Sequence, residues 1–386
     1  MRRRRCQLLM AQYAALACWA VLWFVLLARR GGIDWKFFST GTSLLFGGHP
    51  PVIRGITGGA GTAGPAGLPG PRPPGGLHIF ANYPALQMGP LSYLAAAVIR
   101  NVVAAEVVLQ AAGLLIVYLI DRIAEIARPG RDKPATLLAG GAVFLVAWSE
   151  LAAAFAHLDD GLALLLAVLA VYAAVTDHPI ASGIAVGLAA AAKPWALVFL
   201  PVLLINQKTI RAAAAAAGTI AIAYAPFFIA DPATMNATRF LIRNEPDSAL
   251  RALGVTENYT PRWDRAAQLL LGWVLGTAAF LRKRWPAILM LAGGARIVLD
   301  PAAHSYYTPD IVTGALLLDL IIQTRLPVFT IASFAALNLA PLVIKDQAAQ
   351  GAIRLALVAA VTVAALVLKG QATGSPPRQT RRGASP

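Results

Sequence analysis

The chain has 386 residues, 58% of them hydrophobic and only 13% charged, where a soluble domain carries roughly 25% charged residues. Repeated apolar runs of roughly 18 to 25 residues argue against two or three soluble domains and point to one polytopic membrane domain, each run a helix. The net charge of +15 sits in short clusters between these runs, as membrane topology is encoded, and no basic helix or aromatic-interleaved sheet points to nucleic acid.

The N-terminal Met1-Arg2-Arg3-Arg4-Arg5 and the apolar run 7–28 look at first like a signal peptide. The run is too long for one, and Leu27-Ala28-Arg29-Arg30 is a poor cleavage site. A retained first helix with a cytoplasmic N-terminus is expected. Cys6 and Cys18 lie on it about 18 Å apart, too far for a disulfide.

Residues 31–89 then form a long first extracytoplasmic loop, and a loop of this length between membrane helices is usually functional. Its middle, 55–76, is Gly, Pro, Ala and Thr, a flexible composition without the ending of a phosphate-binding loop. Ahead of it Trp35, Phe37, Phe38, Leu44, Leu45 and Phe46 suit a helix laid on the membrane surface.

Spans follow at 101–120, 135–155 and 161–175. Residues 180–205 read as one long helix or as two short ones broken at Lys193-Pro194. The bias of Lys and Arg to cytoplasmic loops favours the break, because it puts Lys208 and Arg211 inside. Arg282-Lys283-Arg284, Arg325 and the basic tail then fall inside as well. Further spans at 212–230, 267–281, 286–299, 310–323, 327–344 and 351–368 bring the total to about twelve. The expectation is an all-α, polytopic integral membrane protein with one domain over 1–370 and a basic, disordered cytoplasmic tail over 371–386. Its odd polar residues then gather at the extracytoplasmic face of the plasma membrane, which reads as a single site.

Four groups there carry chemistry. Asp34 follows the first helix and precedes Trp35; a carboxylate at an apolar interface suits a general base, or is simply solvated. His157, Asp159 and Asp160 stand where one helix ends and the next begins, with Glu150 two turns before His157 and expected on the same face. They suit a metal or sugar hydroxyls, or the two acids simply cap the following helix; no compact His or Cys pair accompanies them, so no zinc site is expected. Lys193 interrupts an apolar run, where a lysine is costly and by default functional unless it snorkels from a helix end. The stretch 300–310, with His304, Tyr306, Tyr307 and Asp310, is dense in polar and aromatic groups suited to sugar or phosphate, though tyrosine pairs also anchor helices at the interface.

The early aspartate in a long first loop, the segment 78–90 with His78, Asn82 and Gln87, the His-x-Asp-Asp motif at 157–160 and Ala-Ala-Lys-Pro-Trp at 191–195 occur in a joint order. That order, over residues 1–325, resembles the GT-C glycosyltransferases of actinobacteria, most closely the polyprenyl-phosphate-mannose-dependent mannosyltransferases. The resemblance implies a polyprenyl-phosphate-linked sugar donor, a lipid or glycan acceptor, inversion, a catalytic aspartate in the first loop, often no metal, and no cofactor. Carried onto this chain it makes Asp34 the base and sets Lys193 and His304 near the donor phosphate. It places His78, Asn82, Gln87, His157, Asp159, Asp160, Tyr306 and Tyr307 around the substrates. The long, low-complexity stretch 55–76 departs from the family pattern. A transporter or lipid flippase is the alternative; such proteins hold ionisable residues near the midplane and often carry inverted repeats, and no repeat is visible here.

Overall fold

A computed structural model describes residues 2–48, 74–130, 133–322 and 326–367. Most of the Gly/Pro-rich stretch, Arg131, Arg325 and the basic tail lie outside these. Among the described residues there is no strand, only an isolated bridge between Arg243 and Tyr259.

The elements are all helical. In chain order they are α1 (Arg2–Leu27), α2 (Trp35–Leu45), α3 (Ile79–Asn82), α4 (Pro90–Ile99), α5 (Val102–Ala127) and α6 (Pro134–Ser149). They continue with α7 (Leu158–Val175), α8 (Pro179–Ala192), a 3-10 segment (Pro194–Ile205), α9 (Thr209–Ala230), α10 (Ala249–Ala252) and α11 (Asp264–Leu281). The chain closes with α12 (Ile288–Leu299), α13 (Thr308–Ile322), α14 (Val328–Phe334), α15 (Ala340–Val343) and α16 (Gln347–Val367).

Six helices are long and apolar enough to cross a membrane: α1, α5, α6 with its extension to Phe155, α7, α9 and α16. Their apolar length identifies a membrane protein. Shorter apolar helices fill the spaces between them. Every residue of α12 is buried, as is α13 from Thr308 to Ile321, so these two form the centre of the bundle. The outer helices α1 and α9 leave most of their apolar surface exposed.

Local sequence explains three breaks that position the site. Pro194 cannot continue α8 and biases Lys193 to an extended backbone, observed at φ −144 and ψ 117. The chain then doubles back, because Asn206 at the far end of the 3-10 segment donates to the hydroxyl of Ser182 near the start of α8, at 3.1 Å. The second break is at Arg100, left-handed between α4 and α5, where Asn101 caps α5 by accepting from the Ala104 amide. The third is in α6, which widens into a π-helix over Glu150–Phe155 and stops at Ala156 in the left-handed region, φ 49.

One expectation is corrected. The aromatic segment after Asp34 does form a helix, but α2 turns part of its apolar face inward, while Phe46 stays exposed. Phe38 and Leu44 are buried, and Thr42 donates to the Tyr93 carbonyl of α4. Burial against α4 removes more apolar area from water than a surface position would.

Candidate functional site

The site is built where helix ends meet. The ends of α1, α6, α8 and α12 meet the starts of α7 and α13 at one end of the bundle. π-helical turns are frequent at functional sites because they rotate the residues that follow, and here the turn presents His157 just before α7. Asp159 and Asp160 occupy the first turn of α7. Opposite them the chain leaving α1 is strapped across the π turn: Ile33 and Asp34 donate their amides to the carbonyls of Ala154 and Phe155, at 3.2 and 2.9 Å. This strap needs Gly32, whose φ is +56 and whose added Cβ would come within 2.3 Å of Val102 and 2.9 Å of Ala156.

His157 is the hub. Its Nδ1 lies 3.0 Å from Asp34 Oδ2, and its Nε2 lies 2.9 Å from Asp160 Oδ2 and 3.3 Å from Asp159 Oδ1. Burial pulls the imidazole pKa down. The charge of Asp159, with the hydrogen bond and charge of Asp160, outweighs burial and the opposing Lys193, and raises it to about 9. His157 is therefore an imidazolium at neutral pH and donates from both nitrogens. The other carboxylate oxygen of Asp34, Oδ1, has no bond to protein among the described residues.

Two cations close the cluster behind it. Lys193, at the C-terminal cap of α8, donates to Asp160 and lies 3.3 Å from Asp159 Oδ2. Arg296, in the last turn of α12, donates to Asp160 Oδ1 at 2.8 Å and to Asp310 Oδ2 at 2.5 Å, with its Nε 3.6 Å from Asp300. Its guanidinium lies 3.6 Å from the ring centroid of Tyr307 and 4.5 Å from that of Trp195. Both cations sit at helix C-termini, and Asp159, Asp160 and Asp310 at helix N-termini, as helix dipoles favour.

An aromatic stack leads outward. Tyr306 lies 4.1 Å from His157 and 5.0 Å from His304, nearly parallel to the latter. His304 is exposed, so the column runs from the buried imidazolium to a ring in reach of solvent.

His157, Asp159 and Asp160 place ligand atoms within 4.8 Å of one another, as a metal requires. They do not fit one in this arrangement. The ammonium of Lys193 already lies against both carboxylates, and the second oxygen of Asp160 is held by Arg296.

The structure thus brings together Asp34, His157, Asp159, Asp160, Lys193, His304, Tyr306 and Tyr307. It does not bring His78 or Asn82 to them. His78 Nδ1 lies 3.2 Å from Asp231, whose carboxyl is held below the usual range by the Ala233 amide and by His78. Asn82 donates to the Pro74 carbonyl. His78 ties residues 74–82 to the stretch after α9, and Asn82 closes the segment on itself. Gln87 takes a middle position: it accepts from Arg265 at 3.0 Å, and Arg265 also donates to the Phe240 carbonyl. The end of this segment is fixed at Gly89, whose amide donates to the Ala192 carbonyl and whose added Cβ would lie 2.0 Å from the Ala191 oxygen.

Three sequence readings change. Asp159 and Asp160 are not mainly caps, since their carboxylates go to His157, Lys193 and Arg296. Lys193, expected near the donor phosphate rather than snorkelling, engages two buried acids. Glu150 does not share a face with His157, because the π turn and Ala156 intervene and Glu150 pairs instead with Arg30 at 3.2 Å. Arg296 was the missed residue. Its signal was plain, an arginine near the end of the apolar run 286–299, the kind of residue that membrane helices carry only for a partner or a function. No family model matches the chain, and no curated protein or solved structure matches it.

Proposed function

We propose that this chain is an inverting membrane glycosyltransferase with a GT-C-like bundle of about twelve spans and its site on the extracytoplasmic face. It moves a sugar, in the first instance mannose, from a polyprenyl-phosphate donor to a lipid or glycan acceptor. One observation carries the reading: a carboxylate, Asp34, is fixed by a charged imidazole through one oxygen while its other oxygen is free. It stands at the mouth of a buried cluster of interlocked carboxylates and cations among membrane helices.

In this mechanism the acceptor hydroxyl gives its proton to Asp34 Oδ1. Its oxygen attacks the anomeric carbon from the face opposite the phosphate. The bond between that carbon and the phosphate oxygen breaks, and the electron pair leaves with polyprenyl phosphate, so the anomeric centre inverts. Exposed His304 serves as a hydrogen-bond donor to the departing phosphate, while Lys193 and Arg296 offset charge on the acids that hold them. Because Lys193 is held by Asp159 and Asp160, it is not a free phosphate ligand. The His304–Tyr306 stack offers a face to a sugar ring. The donor's long apolar tail explains a site at the ends of membrane helices.

A transporter is the second reading, favoured by the buried chain Asp160–Arg296–Asp310 between α7, α12 and α13. One experiment separates the two. Purified protein is incubated with radiolabelled polyprenyl-phosphate sugars and a membrane lipid extract, beside Asp34→Asn, Asp159→Asn and Asp160→Asn variants checked for folding. Transfer of label that falls about 10² to 10⁴ in Asp34→Asn supports the proposal. Transfer that survives in Asp34→Asn but not in Asp159→Asn or Asp160→Asn moves the base to α7. Absence of transfer from every donor sinks the enzyme reading.

A further inference from the structure

The stretch between α9 and α11, residues 231–263, has a two-sided ribbon at its centre. Thr260 donates its amide to the Ile242 carbonyl at 2.8 Å and Asn244 its amide to the Asn258 carbonyl at 2.9 Å, around the antiparallel bridge of Arg243 with Tyr259. Alternation sorts the side chains. Asn244 and Thr260 turn inward and are buried, Asn244 donating to the carbonyls of Val255 and Glu257. Leu241, Arg243 and Tyr259 turn outward and are exposed, and Arg262 and Trp263 continue that exposure to the start of α11.

The outward set is unusual for a face in water. Leu241 and Tyr259 are 57% and 56% exposed and Trp263 is 48% exposed. Arg243 and Arg262 have no ionic partner among the described residues, and Glu257 is the exposed acid nearest them in the ribbon. Aromatic rings mixed with arginines are the composition of the membrane–water interface.

The flanking helices fix the level at which this face stands. α9 ends at Ala230 with Ile222 and Ile229 almost fully exposed, so its apolar outer face runs to within two residues of the stretch. On α11 the exposed residues Leu270, Val274 and Leu281 follow Trp263 at intervals of 7, 4 and 7, which is one helix face. Trp263 therefore heads the apolar stripe of α11. Exposed Arg282 and Lys283 end that stripe at the other end. The 18 residues of α11 span about 27 Å, close to the hydrocarbon thickness of ~30 Å. The α9 end of the ribbon is thus tied where a membrane-crossing helix gives way to headgroups. Although α11 is not among the six helices apolar enough to cross, its exposed stripe starts at Trp263 at the other end of the ribbon.

We infer that the outward face of this ribbon is a phospholipid-binding surface: Leu241, Tyr259 and Trp263 sit among the glycerol and upper acyl groups of the leaflet at the site end, and Arg243 and Arg262 bind anionic headgroup phosphates. The contact reaches the functional end of the molecule. Glu245, two residues beyond Arg243, donates its amide to the Pro301 carbonyl in the 300–304 loop, and Arg265 ties Phe240 to Gln87. A lipid-held ribbon therefore braces the loop that carries His304.

The test uses the full chain reconstituted in phosphatidylcholine vesicles, with lipids brominated near the glycerol as quenchers. The chain has 8 tryptophans, so the Trp263 signal is the difference between wild type and Trp263→Phe. Wild type and Arg243→Gln/Arg262→Gln, each beside its Trp263→Phe counterpart, are titrated with brominated phosphatidylglycerol and brominated phosphatidylcholine. The expected result is quenching of the Trp263 signal by both lipids, with phosphatidylglycerol effective at lower mole fraction. The double variant keeps the quenching and loses that preference, about fivefold per arginine. An unquenched Trp263 signal overturns the inference and leaves the face to a protein partner or to solvent. Equal quenching by both lipids in wild type, or an anionic preference that survives the double variant, overturns the headgroup assignment.

Discussion

Asp34 and His157 share a hydrogen bond of 3.0 Å, and each constrains what the other does. The imidazolium fixes one oxygen of Asp34 and leaves the second to a substrate, while Asp159 and Asp160 keep that imidazole charged. The pKa of His157 is raised to about 9 from its ordinary value near 6.5, and the sign of its contribution to stability follows. A group whose folded pKa is raised contributes stability that is complete below the unfolded value and is lost as pH rises through the folded one. A shift of this size corresponds to about 3 kcal/mol. The thermal stability of the detergent-solubilised protein is therefore expected to fall between about pH 6.5 and about pH 9. A His157→Gln variant, unable to titrate, is less stable at pH 6.5 and shows a flatter profile through this window. A profile in His157→Gln as steep as in wild type places the titrating group elsewhere. Most of this residue-scale site was legible, because His157, Asp159, Asp160 and Lys193 are polar groups in apolar sequence. Their pairing was not, since Lys193 and Asp160 are 33 positions apart and nothing local reports which end of which helix they share.

Helices that cross a membrane bring charges inward only in compensated groups, and Arg296 shows how one side chain ties several helices together. It joins α12 to Asp160 of α7 and Asp310 of α13, and it lies against Trp195 beyond the α8 break. Replacing it by methionine keeps the helix and the volume but leaves buried Asp310 without its cation and Asp160 with only Lys193 and His157. Breaking a buried pair from one side costs about 3 to 5 kcal/mol. Arg296→Met is expected to unfold at clearly lower temperature, and Arg296→Met/Asp310→Asn to recover part of the loss by removing one orphaned charge. Failure of the second substitution to recover any stability disproves the pairing. At this scale the Lys193-Pro194 break was readable because proline acts on its own neighbours. The π turn of α6 was not, since residues 150–156 contain neither Gly nor Pro and their sequence is ordinary helix. The burial of Phe38 was missed for a related reason: an aromatic face on a short helix suits a membrane surface and a protein groove equally, and only the position of α4 decides between them.

At the scale of the whole molecule, the apolar runs and the charge clusters together predict one polar face, and the helix ends bear out the gathering, though not by themselves the side of the membrane. The end of α1, the end of α8 and the start of α13 all bring residues to one cluster, and the Ser182–Asn206 bond shows that the chain turns back after Lys193. Lys208 must then lie at the opposite end from Lys193, beside the start of α9, and Lys283 at the opposite end from Trp263. Positive residues concentrate in cytoplasmic loops, so we expect Lys208 and Lys283 to face the cytoplasm and Asp34 and His304 the other side. Single cysteines at positions 36, 208, 283 and 303, placed in a background with Cys6 and Cys18 replaced, make this measurable in intact cells with an impermeant thiol reagent. Labelling is expected at 36 and 303 and only after permeabilisation at 208 and 283. Outside labelling at 208 together with 303 contradicts the hairpin and removes the single-site arrangement. Outside labelling at 208 and 283 with none at 36 and 303 leaves the fold intact and turns the whole site to the cytoplasm, where a donor exposed at the outer face does not meet it.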